Sequence, residues 1–169
     1  MTGAPRAGNG PEAAHADHAR VLAPPGLLFM GLLGTAGLLH YRWPLPLPLG
    51  PLERHLLVSS VAAVALGLAL GAWGFFSLRR SGTAVDPAEP TRRLVVRGPY
   101  RFTRNPLYLA QLLVMLGFAV LTRSGWFLGA VPFLAVLLHH LVIIPEERYL
   151  SRLFGDAYAA YCRKTRRWV

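Results

Sequence analysis

Arg101, Arg104 and Asn105 lie in "GPYRFTRNPLYLAQ", directly ahead of an apolar run. Charge is costly beside such a run unless something anionic or polar is held there. Proline suits the first position of a helix, so a helix is expected to start at Pro106 with Asn105 as its N-cap. A helix N-terminus next to the Arg104 guanidinium is a ready site for a carboxylate or a phosphate. By the same reasoning, Glu146 and Glu147 after Pro145 are expected in the first turn of a new helix, where the dipole favours them. Two adjacent carboxylates beside a membrane also suit recognition of an amine or another cation.

The elements that must position these groups are read from run lengths. The chain of 169 residues is 53% hydrophobic and 15% charged, with a formal net charge of +10. Four stretches are nearly free of charge: Val21 to Leu39, Leu56 to Leu78, Leu107 to Leu121 and Trp126 to Ile144. About 20 apolar residues are needed to cross a bilayer as a helix, and a shorter run is stretched by its flanks. The expected fold is therefore all-α: an integral membrane bundle of about four transmembrane helices, followed by an amphipathic interfacial helix over "RYLSRLFGDAYAAYCRK". Residues 1–20 read as a polar, disordered segment, 21–78 as a transmembrane hairpin with a proline-rich turn, and 79–169 as the functional core. The acidic residues Glu12 and Asp17 ahead of the first run argue against a cleaved signal peptide.

Fifteen of the 18 Lys and Arg residues lie in the N-terminal segment, between Arg79 and Arg104, or after Ile144. Only Arg42, Arg54 and Arg123 fall in the other two connections. That asymmetry predicts a membrane protein with both termini and the long central loop cytoplasmic, and the basic charge is explained without nucleic acid. Most of the arginines also suit anionic lipid headgroups. The interesting polar residues gather on one membrane face: Arg92, Arg93, Tyr100, Arg101, Arg104, Asn105, Tyr108, His139, His140, Glu146 and Glu147.

Several neighbouring features have plainer readings. Gly67, Gly71 and Gly74 form a small-residue ridge suited to close helix packing. His139 and His140 are adjacent, so on a helix they point about 100° apart and do not share a metal; no Cys or His spacing suggests one either. Tyr149, Tyr158, Tyr161 and Trp168 suit an interfacial belt, and Gln111 suits a bond to a neighbouring helix or a place in a pocket.

Together, "GPYRFTRNPLYLAQLL" and "IPEERYLSRLFGDAYAAYCRKTRRW" resemble the signature of the membrane methyltransferases typified by isoprenylcysteine carboxyl methyltransferase and phosphatidylethanolamine N-methyltransferase. The resemblance covers roughly Arg92 to Trp168. It implies S-adenosylmethionine as cofactor, with Leu94, Val95, Tyr100 and Asn105, Pro106, Leu107 and Tyr108 lining its pocket and Arg92 and Arg93 at the edge. Glu146 matches the cofactor-contacting glutamate. Arg104 and Glu147 are taken as the catalytic pair. Asn105 agrees with the phospholipid enzymes, where the isoprenylcysteine enzymes carry histidine. The bilayer and an apolar or lipid-like methyl acceptor are the implied partners. No glycine-rich strand-loop-helix element is present, so the cofactor is expected to bind on helix ends. Two other readings use the same residues: a nicotinamide-dependent membrane reductase, and a lipid-binding membrane protein without enzymatic activity.

Overall fold

The computed structural model describes residues 21–83, 91 and 93–168. The segment 1–20 and Arg92 lie outside the described residues. Every regular element described is helical: α1 (Pro25–Arg42), α2 (Glu53–Arg80), α3 (Pro106–Leu121), α4 (Gly125–Leu138) and α5 (Ile144–Lys164). Short 3-10 turns at Gly50–Leu52 and Gly98–Arg101 lead into α2 and α3. Two continuous helical stretches, Gly50–Arg80 and Gly125–Lys164, are long and apolar enough to cross a membrane, and Pro106–Leu121 is a shorter apolar helix.

Small residues let α2 and α3 approach closely. A Cβ added at Gly67 would stand 2.8 Å from Val114 Cγ2 and 2.9 Å from the Ala110 carbonyl, so the two backbones touch at that point. Gly117 plays the reciprocal part on α3, against Val64 and the Ser60 carbonyl. α1 packs on α4, and α4 on α3. Met115, Ala119, Leu134, Leu138, Val142 and Ile143 are wholly buried between them. Leu27, Met30, Leu38, Leu66, Leu68, Phe76, Phe133 and Val136 point outward and are exposed. An apolar outer surface of this extent is what helices surrounded by lipid present.

At one end, the proline-rich turn after α1 is clamped to the turn between α3 and α4. The Gly125 N–H donates to the Leu45 carbonyl at 2.8 Å, the Leu47 N–H to Arg123 at 2.7 Å, and Trp126 Nε1 to the Trp43 carbonyl at 2.7 Å. Arg123 and Glu53 pair there. The other end holds the cavity described below.

Two boundaries depart from expectation. Pro145 does not open a new helix. α4 continues through one π turn at His139–Ile143 straight into α5. Proline has no N–H for the carbonyl four residues back, and its ring crowds that group. The wider π turn accommodates the ring, and the Leu141 carbonyl instead accepts the Leu22 N–H at 3.1 Å. Glu146 and Glu147 therefore do not sit at a free helix N-terminus, and the dipole account of them falls. The second departure is in α5, which bends at Gly155 (φ 47°, ψ −121°), so the expected single amphipathic helix is two pieces.

Candidate active site

Where α2 ends and α3 and α5 begin, the chain encloses a cavity of about 760 Å³, counting its open mouth. The first turn of α3 contributes Asn105, Pro106, Leu107 and Tyr108, with Arg104 just ahead of it. α5 contributes Glu146, Glu147, Leu150, Tyr158 and Tyr161. The connection from α2 to α3 contributes Thr83, Thr91, Arg93, Leu94, Val95 and Tyr100. Apart from Arg92, every residue singled out above for the cofactor or the catalytic pair lines this one cavity. His139, His140, Arg101 and Gln111 do not line it. The two histidine rings meet edge-on, 4.9 Å between centroids.

Successive helix residues diverge by about 100°, and Glu146 and Glu147 go to different partners. Glu146 Oε2 accepts the Tyr108 hydroxyl at 2.8 Å. Glu147 is gripped by two guanidiniums. Arg167 donates from Nε to Oε1 at 3.0 Å and from Nη2 to Oε2 at 2.7 Å, and Arg104 Nη1 stands 3.3 Å from Oε1. Arg104 Nη1 also donates to Cys162 Sγ at 2.7 Å. Arg104 Nε is buried and has no hydrogen-bond partner among the described residues. A buried donor in that condition costs about 1–3 kcal/mol until an acceptor meets it.

The segment after α5 closes over the entry to α3. The Arg104 N–H donates to the Arg166 carbonyl at 3.0 Å, and the Thr103 hydroxyl to the Arg167 carbonyl at 3.1 Å. Asn105 holds the N-cap position, but its side chain does not cap. Its Nδ2 donates to the Arg167 carbonyl at 2.9 Å instead, a bond across 62 residues of chain. The tyrosines of α5 depart from an interfacial belt too: Tyr149, Tyr158 and Tyr161 are buried. Tyr161 donates to the Tyr100 carbonyl at 2.6 Å, and Tyr149 accepts the Thr91 N–H at 3.2 Å. Burial, then the charge of Glu146 and the nearby Tyr161, holds the Tyr100 phenol well above its usual pKa, so it stays a neutral hydroxyl.

Arg167, Cys162, Tyr158, Tyr161, Thr83 and Thr91 were not legible as site residues. "KTRRWV" has no periodicity, and Tyr158 and Tyr161 satisfy helical spacing equally well facing lipid or facing inward.

A family model described as phospholipid methyltransferase matches residues 56–157, from the first turns of α2 to beyond the bend in α5 and more than half of the chain. The chain belongs to the phospholipid methyltransferase family. It is thus a member of a family of membrane methyltransferases, and the matched region contains every residue that lines the cavity except Tyr158 and Tyr161. Among curated relatives of this phospholipid methyltransferase family member, the cobalt-zinc-cadmium resistance protein CzcN of Cupriavidus metallidurans is 36% identical over 72 residues, 43% of this chain and 33% of that protein. The match thus spans about a third of CzcN. An uncharacterised protein of Haemophilus influenzae is 39% identical over 64 residues, 37% of this chain and 100% of that protein. No solved structure matches the chain.

Proposed function

We propose that the protein transfers a methyl group from S-adenosylmethionine to a small or lipid-like apolar acceptor at the cytoplasmic face of a bacterial-type membrane. The observation that carries this reading is that a guanidinium, Arg104, and a carboxylate, Glu146, line one cavity. A zwitterionic amino acid group needs an anion acceptor site and a cation site within one pocket, and the two side chains offer both. Leu94, Val95, Leu107 and Leu150 supply apolar surface for the remainder of the cofactor.

When bound, S-adenosylmethionine brings an electrophilic methyl group, so the protein's work is alignment and exclusion of water. Arg104 holds the carboxylate, and Glu146 holds the ammonium. Glu147, tied to Arg104 and Arg167, keeps the Arg104 guanidinium in place and acts as a positioning residue. Four spans, formed by α1, α2, α3 and the α4 stretch, with the cavity at the cytosolic end, agree with the outward apolar residues on α1, α2 and α4 and with the basic residues around the cavity.

Titration of S-adenosylhomocysteine into the detergent-purified protein tests the reading. Saturable binding is expected, weakened about ten-fold or more in Glu146→Gln, the size of one lost charged hydrogen bond. A folded sample that binds NADPH and not S-adenosylhomocysteine would be a reductase, and one that binds neither would point to a non-enzymatic role.

A further inference from the structure

Cys162 does not line the cavity, but it touches two residues that do, Arg104 and Tyr158. Its sulfur accepts Arg104 Nη1 at 2.7 Å. Tyr158, one turn earlier on α5 at the spacing that brings side chains together, shares a hydrogen bond with the same thiol. A half-buried cysteine is ordinarily a small apolar filler. Here the thiol meets a guanidinium and a phenol instead, so it acts as a hydrogen-bonding group.

That contact bears on which edge of Arg104 a ligand meets. Nη1 is taken by Cys162 and, at 3.3 Å, by Glu147 Oε1. Nε is buried. Nη2 has no partner among the described residues, and it is the guanidinium nitrogen left for a ligand in the cavity. The guanidinium is planar and rigid, so fixing Nη1 also fixes the direction of Nη2. Glu147 holds Nη1 less closely than the sulfur does, and its two oxygens are already gripped by Arg167. An ion pair of that kind attracts the guanidinium without setting its orientation, whereas the sulfur supplies a directed bond.

We infer that Cys162 is a positioning residue: its sulfur holds Nη1 so that Nη2 of Arg104 is presented to the cavity, and affinity for a carboxylate-bearing ligand depends on that bond. The identity of the ligand as the S-adenosyl cofactor rests on the function proposed above; the link between Cys162 and Arg104 does not.

Titration of S-adenosylhomocysteine into the detergent-purified parent, Cys162→Ala, Arg104→Lys and the double variant decides the matter. Cys162→Ala is expected to bind about five-fold more weakly, as for one hydrogen bond from a charged donor to a weak acceptor. Cys162→Ser, whose hydroxyl also accepts, is expected to recover most of that loss. In the Arg104→Lys background Cys162→Ala is expected to have little further effect, because an ammonium has no second edge for the sulfur to direct. A cysteine that only packs would weaken binding equally in both backgrounds. Should Cys162→Ala fail to fold, the parent treated with methyl methanethiosulfonate takes its place. Cys162 is the one cysteine of the chain, so capping it is expected to weaken binding by a similar factor and dithiothreitol to restore it. Unchanged affinity after the sulfur is removed or capped, or an equal loss in both backgrounds, overturns the inference. A folded parent that binds no S-adenosylhomocysteine removes the cofactor reading instead. The melting temperatures of the same four proteins then decide on the link: non-additive shifts retain it, and additive shifts overturn it.

Discussion

Arg167 and Glu147 form a two-pronged ion pair, Nε to Oε1 at 3.0 Å and Nη2 to Oε2 at 2.7 Å, that ties the segment after α5 to the start of that helix. The Glu147 carboxylate also forms an ion pair with Arg104 at 3.3 Å, so the segment and the cavity wall are held by one charge. The Arg167 guanidinium is held even more firmly protonated than usual by its hydrogen bonds to Glu147. Removing this link tests whether the segment merely covers the cavity or shapes it.

Arg167→Ala is expected to weaken S-adenosylhomocysteine binding about ten-fold, because Arg104 is left to satisfy Glu147 alone and turns from the cavity. Arg167→Lys is expected to recover less than half of that loss, since an ammonium cannot make the planar two-pronged pair. Titration of the two variants under one set of conditions measures it. Equal affinity in Arg167→Ala and the parent would show that the segment is only a cover.

Tyr108→Phe removes the hydroxyl that meets Glu146. A loss of about 1–2 kcal/mol in cofactor binding is expected, roughly ten-fold, since Glu146 then needs another donor. Melting temperature in detergent is expected to change little. A large fall in melting temperature with unaltered binding would place the bond in stability alone.

Gly67→Val drives a side chain into Val114 and the Ala110 carbonyl, and the latter is backbone that cannot swing aside. Overpacking of this kind costs about 1–3 kcal/mol or more. The variant is expected to lose monodispersity on size-exclusion chromatography. Gly26→Ala, with open space around the new methyl, serves as the control and is expected to lie within about 0.5 kcal/mol of the parent.

Gly155→Ala tests the bend in α5. The backbone there has φ 47° and ψ −121°, a combination that costs a non-glycine residue about 1–3 kcal/mol. Tyr158 and Tyr161 follow the bend, and both line the cavity. A melting temperature several degrees lower and weaker S-adenosylhomocysteine binding are expected together. An unchanged melting temperature would mean that the helix straightens without cost.

By itself the sequence determined where the helices run and at which end the polar groups collect. Charge is excluded from the apolar stretches, so Arg104, Asn105, Glu146 and Glu147 were confined to the ends of neighbouring helices whatever the packing. Pro106 marked the start of α3 because its fixed φ and missing N–H act locally. Tertiary structure decided what local rules leave open. Pro145 breaks a helix or is absorbed by it according to whether the freed Leu141 carbonyl finds a donor, and that donor is Leu22, remote in the chain. Asn105 caps its own helix or reaches elsewhere according to what lies beside it, and the Arg167 carbonyl lies beside it only after α5 has folded back. The inward turn of Tyr158 and Tyr161, and the unpaired polar atoms of Arg104 and Gln111, are products of the same long-range contacts. Helical periodicity records which residues share a face, whereas the neighbour that covers the face is set by packing between segments that the pattern does not connect.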